Sequence, residues 1–282
     1  MKCRTQPMAA RKGRFLAFWM AWLLLLSGCV TRQAVEDIVE TSNARMIAVQ
    51  LAGEPLPSGR PFDTADSGWK VLSARIDAFV EAYPEQTAMV NAVRIRQAML
   101  LMSYRQYNQA EAVFDQVDSG ELTSARDRAL YNVREPLLWW FELDKTTAMA
   151  PAQFEAADEA LATLQAEVDR LQDSPEIRDY LAEIRVWIAL YSGLQTTSAE
   201  RATAYVENGI DQYARIFTPG DLAALGQRAT TEAFEDSPVA VRRRLRAREV
   251  ADYAAEVIRR QSIAPSFASA EFAELIAQST SE

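Results

Sequence analysis

Apolar residues recur at helical spacing along almost the whole chain after residue 68, and this periodicity limits the fold more than any other feature of the sequence. In the clearest run, the apolar positions follow one another at intervals of seven, three, four and three residues, which places them on one face of a helix. We find no sustained alternation of apolar and polar residues, the pattern of a half-buried strand. The spacing therefore predicts an all-α fold. The positions of this run are Phe154, Leu161, Leu164, Val168 and Leu171.

Prolines divide this region into segments of ordinary helix length. Ser174 precedes Pro175 between two apolar runs, so Ser174 can cap a helix whose first position is Pro175. Pro136 leaves two possibilities open: it kinks a helix over residues 124–143, or it starts a new helix after Arg134. We expect about ten helices, paired as hairpins with tight connections. The other breaks fall at Pro84, Pro151, Thr218-Pro219-Gly220, Ser237-Pro238 and Pro265.

A segment rich in proline and glycine precedes the helical body. Residues 53–68 hold three Pro and three Gly, a composition typical of a linker. Residues 29–52 carry apolar side chains in an interrupted helical pattern, which predicts a helix. We therefore expect a helical N-terminal segment over 29–52, a linker over 53–68 and an α-helical, repeat-like domain over 69–282.

The first 28 residues have the pattern of a removable signal peptide. Five basic residues within the first fourteen precede the twelve apolar residues 15–26. A membrane-spanning helix needs about 20 apolar residues, so this run is too short to cross a bilayer. The pattern predicts a signal peptide over residues 1–28.

The apolar run ends at Leu26-Ser27-Gly28-Cys29, which resembles the lipobox of bacterial lipoproteins. That resemblance implies cleavage before Cys29 and attachment of a diacylglyceryl group to its thiol. Val30 follows, where lipoproteins retained in an inner membrane more often have Asp. We therefore expect a lipid-anchored protein on the periplasmic face of an outer membrane.

The amino-acid composition excludes several kinds of catalytic and metal site. The chain has no histidine, which excludes Ser-His-Asp and Cys-His arrangements and His-containing zinc sites. Apart from Cys3 in the signal, Cys29 is the only cysteine, so the mature chain can form no disulfide. Without the signal, 25 basic residues face 39 acidic ones, and the net charge of −14 repels nucleic-acid phosphates. We expect no nucleic-acid partner, no metal and no cofactor.

Residues 98–117 resemble a tetratricopeptide unit, a helix-turn-helix repeat of about 34 residues. Ala110 stands where the repeat needs a small residue for close helix approach. Arg105 replaces the usual turn glycine, and the repeat register does not continue past residue 122. The resemblance implies helical hairpins stacked as a tetratricopeptide-like solenoid. Its core positions here are Ala98, Leu101, Tyr107, Ala110, Phe114 and Val117.

The lipobox and these helices together resemble, in architecture, the outer-membrane scaffold lipoproteins of the BamD type. What this resemblance implies is a concave binding surface rather than a catalytic pocket. We therefore expect a membrane-anchored scaffold or adaptor that binds a protein partner in the periplasm or outer membrane.

Two other functions stay open. Glycosidic cleavage needs only two carboxylates about 5 to 9.5 Å apart, so an enzyme acting on peptidoglycan is compatible with the composition. No pair stands out among the 39 acidic residues. Alternatively, an arginine-rich helix could bind lipid headgroups or cell-wall carboxylates, although its arginines could equally pair with carboxylates of the chain itself. The arginines are Arg242, Arg243, Arg244, Arg246 and Arg248, with Arg259 and Arg260 further along.

Two short motifs have a simpler interpretation. Trp139-Trp140-Phe141 could anchor a partner, but aromatic residues in helices more often pack in the core. Ser67 and Lys70 have the spacing of a penicillin-binding-protein motif without its companion motifs, which indicates a chance match.

Overall fold

The computed structural model describes Ile38, residues 67–225 and residues 238–281. The regular structure in these ranges is entirely helical, so the all-α prediction is confirmed. None of the described helices is long and apolar enough to cross a membrane. Residues 67–225 and 238–281 form eleven α-helices: α1 (Ser67–Ala82), α2 (Thr87–Ser103), α3 (Tyr107–Phe114), α4 (Ala125–Asn132), α5 (Arg134–Glu142), α6 (Pro151–Arg170), α7 (Pro175–Gln195), α8 (Ala199–Ala214), α9 (Pro219–Leu225), α10 (Pro238–Gln261) and α11 (Ala270–Ser281).

Several predicted features of the N-terminus lie outside the described residues. They are the signal peptide over 1–28, the lipobox with its lipidation site Cys29, and the linker up to residue 66. Helix α1 already begins at Ser67, so the last two residues of the predicted linker are helical. Ile38, the described residue of the 29–52 segment, is helical and 3% exposed.

The chain divides into two compact units, Met1–Thr123 and Ser124–Glu282. In the first unit, apolar side chains of α1 and α2 meet in one cluster together with Ile38. Tyr83 extends this cluster at the end of α1, where its ring lies 5.1 Å from that of Phe79. The buried members are Ile38, Ile76, Phe79, Val90, Val93, Leu100 and Tyr104.

Helices α2 and α3 form the hairpin that resembles a repeat unit. The turn places Arg105 in the left-handed region, with φ 59°, and the amide of Gln106 donates to the carbonyl of Leu101 at 2.9 Å. This is the helix ending that most often contains glycine, because glycine adopts the left-handed conformation without steric cost. Of the six predicted core positions, Tyr107 is half-buried and the other five are buried.

A side chain of α2 fixes the path of the chain after α3. The amide nitrogen of Asn91 donates to the carbonyl of Asp118 at 2.9 Å, and the Asp118 amide donates back to Asn91 Oδ1. Asn91 is only 1% exposed, so both of its polar atoms are satisfied inside the unit. This paired contact leads into a single 3₁₀ turn at Ser119–Glu121.

In the second unit, Pro136 begins a new helix. Helix α4 ends at Asn132 and α5 begins at Arg134, which places Pro136 in the first turn of α5. A missing N–H costs no intrahelical hydrogen bond in that position. Of the two possibilities that the sequence left open, a kinked helix over 124–143 or a new helix after Arg134, the structure has the new helix.

Helices α6, α7 and α8 form the centre of the second unit. Short connections make α6 and α8 each antiparallel to α7. Pro175 occupies the first position of α7 as expected, but the Ser174 side chain makes no capping hydrogen bond. The backbone of Ser174, at φ −132° and ψ 67°, differs from the extended backbone of Ser198, which does cap α8.

Helix α10 packs against both α7 and α8, and α11 packs against α10. The segment between α10 and α11 runs along α8 without regular structure. There the amide of Ser266 donates to Glu207 at 2.6 Å, and the amide of Ala268 donates to Asp211 at 2.9 Å. Phe272 of α11 then packs edge-on against Tyr213 of α8, with ring centroids 5.9 Å apart.

Candidate binding groove between α6 and α8

A groove of about 650 Å³ runs between α6 and α8, with α7 at its floor. Both walls run in the same direction because each is antiparallel to α7. Small side chains keep the groove open and supply most of its apolar surface. The apolar lining consists of Leu161, Ala162, Ala166, Ala189, Ala204 and Gly209.

One end of the groove carries a charge-compensated cluster. Arg201 of α8 pairs with Asp158 of α6 at 2.7 Å, and the Tyr205 hydroxyl donates to the other oxygen of Asp158 at 2.6 Å. Burial, followed by the hydrogen bond to Asp158, raises the pKa of Tyr205 to about 12, so its hydroxyl remains a donor at neutral pH. This end has no charge left for a ligand to neutralise.

Arg185 lies at the floor of the groove and is only 5% exposed. Its Nη2 donates to the neutral side-chain oxygen of Asn208 at 2.9 Å, while Nε and Nη1 have no hydrogen-bond partner. Burial lowers the pKa of Arg185 to about 10; nearby Asp169 opposes this effect and Arg215 adds to it. The guanidinium is therefore charged at neutral pH, without a carboxylate bound to it.

Two amide oxygens in the groove also lack partners. Gln165 of α6 donates through its nitrogen to Asp169 at 2.7 Å, but its Oε1 is buried and unpaired. Gln212 of α8 likewise has a buried, unpaired Oε1. An unsatisfied buried polar group costs about 1–3 kcal/mol, so such groups gathered in one groove are a sign of a binding site.

The groove offers the complement of an extended polypeptide. Arg185 supplies unused N–H donors, and the two glutamines supply unused acceptors. Arg201 and Gln212, at the two ends of the α8 wall, are eleven residues apart, or about 16 Å along the helix axis. That length matches about five residues of extended chain at about 3.3 Å per residue.

The groove does not contain the carboxylate pair that glycosidic cleavage needs. Its acidic residues, Asp158 and Asp169, lie eleven positions apart on α6, which separates them by about 16 Å along the axis. A retaining or inverting pair is about 5 to 9.5 Å apart. Within the described ranges, no three His, Cys, Asp or Glu residues are grouped in a way that could hold a metal ion.

The arginine-rich segment lies on α10, and two of its arginines pair with carboxylates of the chain. Arg243 contacts Asp179 and also Asp221, the latter at 3.4 Å. Arg246 lies 2.6 Å from Glu249 and 3.4 Å from Glu183. Arg244 is half-buried and Arg248 is exposed, while the side chain of Arg242 lies outside the described residues.

The three consecutive aromatic residues of α5 are all half-buried. Trp140 packs edge-on against Tyr191 of α7, with centroids 5.8 Å apart, and the ammonium of Lys145 lies 4.1 Å from its ring centre. Trp139 and Phe141 share this intermediate burial, as expected for neighbours that point about 100° apart. The side chains of Ser67 and Lys70 lie outside the described residues.

The groove residues belong to none of the candidate site motifs that the sequence displays. The six repeat-core positions belong to the first unit, and the groove belongs to the second. A signal for Arg185 does exist: it interrupts the otherwise apolar run 184–191. Comparison with known proteins gives no match to any family model, curated protein or solved structure.

Proposed function

We propose that this chain is a binding protein whose groove between α6 and α8 holds a segment of another protein. The observation that carries the proposal is the set of unpaired polar atoms on Arg185, Gln165 and Gln212. Each atom is buried without a protein partner, and such a group costs about 1–3 kcal/mol when neither water nor a ligand satisfies it. A bound polypeptide supplies donors and acceptors for all of them.

The sequence adds a location to this proposal. A lipid on Cys29 attaches the chain to the outer membrane, and the helical body then presents its groove on the periplasmic side. The tetratricopeptide-like arrangement belongs to the same proposal, since α6 and α8 form parallel walls around a concave surface. In this function the chain is a scaffold or adaptor that positions its partner by shape and hydrogen bonding.

The alternative functions have less support from the described residues. The groove carboxylates are too far apart for a glycosidase pair. Arg243 and Arg246 are already paired with Asp179, Asp221, Glu183 and Glu249, so they offer less to lipid or cell-wall anions. The binding function accounts for the unpaired groove atoms, and the two alternatives do not.

Site-specific photo-crosslinking in intact cells tests the proposal. A photoreactive amino acid replaces Ala204, an exposed groove residue, and in a matched variant it replaces Arg248, an exposed residue of α10. We expect a reproducible partner from position 204 only, and the isolated partner should bind the purified full chain. Ala204→Trp should fill the groove and abolish that binding, while the circular dichroism spectrum is retained.

Two results would contradict the proposal. One is a partner that crosslinks at position 248 but not at 204, which would place the binding surface on α10. The other is undiminished binding of the isolated partner to a folded Ala204→Trp variant.

A further inference from the structure

We infer that the segment recognised by this groove is an extended stretch of about five residues that carries an internal Asp or Glu side chain bound to Arg185. The inference rests on the proposed function and adds the chemistry of the partner. Its three supports are the absence of a carboxylate bonded to Arg185, the polar groups on both sides of it, and the way α8 already binds an extended segment of its own chain.

The first support is that Arg185 lacks an anionic partner although it is nine-tenths buried. Its hydrogen bond goes to the neutral amide of Asn208. Neither groove carboxylate bonds to Arg185: Asp158 pairs with Arg201, and Asp169 accepts a hydrogen bond from Gln165 and acts on Arg185 only through its charge. A ligand carboxylate would form charge-assisted hydrogen bonds in a largely dehydrated site, where such bonds are strongest.

The second support is the position of Arg185 along the groove. Asn208, which holds it, lies between Tyr205 and Gln212 on the α8 wall. Polar groups therefore continue in both directions from the charge. A chain that passes through the groove lies against both sets, whereas a chain that ends at Arg185 leaves one set uncovered. This arrangement favours an internal acidic side chain over a terminal carboxylate.

The third support comes from the other side of α8. Glu207 and Asp211, four positions apart, accept hydrogen bonds from the amides of Ser266 and Ala268, which are two positions apart in a nonhelical segment. One turn of four helical residues rises about 6 Å, close to the roughly 6.6 Å spanned by two extended residues. Asn208 and Gln212 repeat the four-residue spacing inside the groove. The groove wall therefore repeats the spacing of the two acceptors that bind this extended segment.

A peptide array tests this inference with the purified full-length chain in detergent. One set consists of five-residue peptides with an acetylated N-terminus and an amidated C-terminus. The central residue is Glu or Gln, and the other four positions are varied. A second set has Ala at the centre and a free terminal carboxylate. We expect the central Glu to be preferred over Gln by about tenfold or more, the range of a charge-assisted hydrogen bond.

Two variants connect this preference to Arg185. Arg185→Gln should abolish the preference, so that Glu and Gln peptides bind about equally, because the substitution removes the cation and keeps a polar side chain. Arg248→Gln removes the same charge from an exposed residue of α10 outside the groove lining, and it should keep the preference within about twofold of wild type. Thermal unfolding verifies that both variants are folded.

The outcomes separate the inference from the proposed function. Equal binding of Glu and Gln peptides, with binding lost in Ala204→Trp, overturns the acidic partner and retains the groove as a binding site. A preference for the free terminal carboxylate overturns the internal position. If no peptide binds in the groove and position 204 gives no crosslink, both the inference and the proposed function are wrong.

Discussion

Gly209 of α8 lies so close to Ala189 of α7 that a Cβ added at position 209 would be 2.9 Å from the Cβ of Ala189. Both residues line the groove. The missing side chain at position 209 therefore sets how closely α8 approaches the floor helix. Glycine normally weakens a helix interior, so its presence here follows from this contact.

The close contact predicts opposite results for two glycines. Gly209→Ala should lower the free energy of unfolding by about 1–3 kcal/mol, because the added methyl group forces the two helices apart. Gly193→Ala is the matched control: its Cβ would meet its neighbours at 3.5 Å, an ordinary contact. That variant should be neutral or more stable by up to about 1 kcal/mol, since alanine favours helix. Urea unfolding measures both, and equal stability of the two variants would contradict the steric explanation.

The left-handed residues at two helix ends predict stabilising substitutions. Arg105 and Ser262 have φ of 59° and 52°, which side chains with a Cβ adopt at a cost. Arg105→Gly and Ser262→Gly should each raise the free energy of unfolding by up to about 1 kcal/mol, while Arg105→Val should lower it by at least about as much. Thermal unfolding checks the series. Loss of stability in Arg105→Gly would mean that the arginine side chain contributes more than the turn costs.

Removing the buried charge at the floor of the groove should stabilise the free protein. Burial lowers the pKa of Arg185 to about 10, so its charged form disfavours folding fully below pH 10, and this cost fades as the pH rises above 10. Arg185→Met should raise the free energy of unfolding at neutral pH by about 1–3 kcal/mol and abolish binding of acidic peptides. Arg215→Met, at an exposed position, should change it by less than about 0.5 kcal/mol. Urea unfolding distinguishes these results, and destabilisation of Arg185→Met would show that Arg185 supports the fold.

Stability at alkaline pH should depend on Tyr205. Burial and the bond to Asp158 raise its pKa from 10 to about 12, so its contribution to stability is complete below pH 10 and is lost as the pH rises toward 12. Tyr205→Phe should lower the free energy of unfolding at about pH 8 by about 1–3 kcal/mol, because Asp158 loses a donor. The difference between wild type and variant should shrink at about pH 11. A difference that stays constant with pH would contradict the role of this hydroxyl.

Two acidic residues that each contact two arginines should differ in their contribution to stability. Asp179 contacts its neighbour Arg178 on α7 and also Arg243 on α10. All three side chains are only 19–20% exposed. Asp179→Asn should lower the free energy of unfolding by about 1–3 kcal/mol, because partly buried Arg178 loses its anion and partly buried Arg243 keeps only Asp221. Glu256→Gln also removes an anion from two arginines, Arg259 and Arg260, but these are exposed, so no measurable change is expected. Equal effects in chemical denaturation would contradict this distinction.

Local sequence pattern was sufficient for the helical class and for many helix boundaries. The stripe from Phe154 to Val168 lies in α6, and its last member, Leu171, directly follows the end of that helix at Arg170. Pro151 and Pro175 each occupy the first position of a helix. These features depend on neighbours three or four residues apart, so the sequence displays them directly. Arg105 replaces the glycine that is usual in the turn of a tetratricopeptide unit, and the turn here still has the left-handed backbone that glycine favours.

The groove required contacts between distant parts of the chain. Asp158 and Tyr205 are separated by 47 positions, and they meet only because α6 and α8 pack on the same side of α7. Pattern alone likewise could not distinguish buried Arg185 from exposed Arg215, because burial depends on which neighbours cover a helix face. Helical periodicity is a local property of the backbone, whereas an unpaired charge arises when packing removes water without providing a partner.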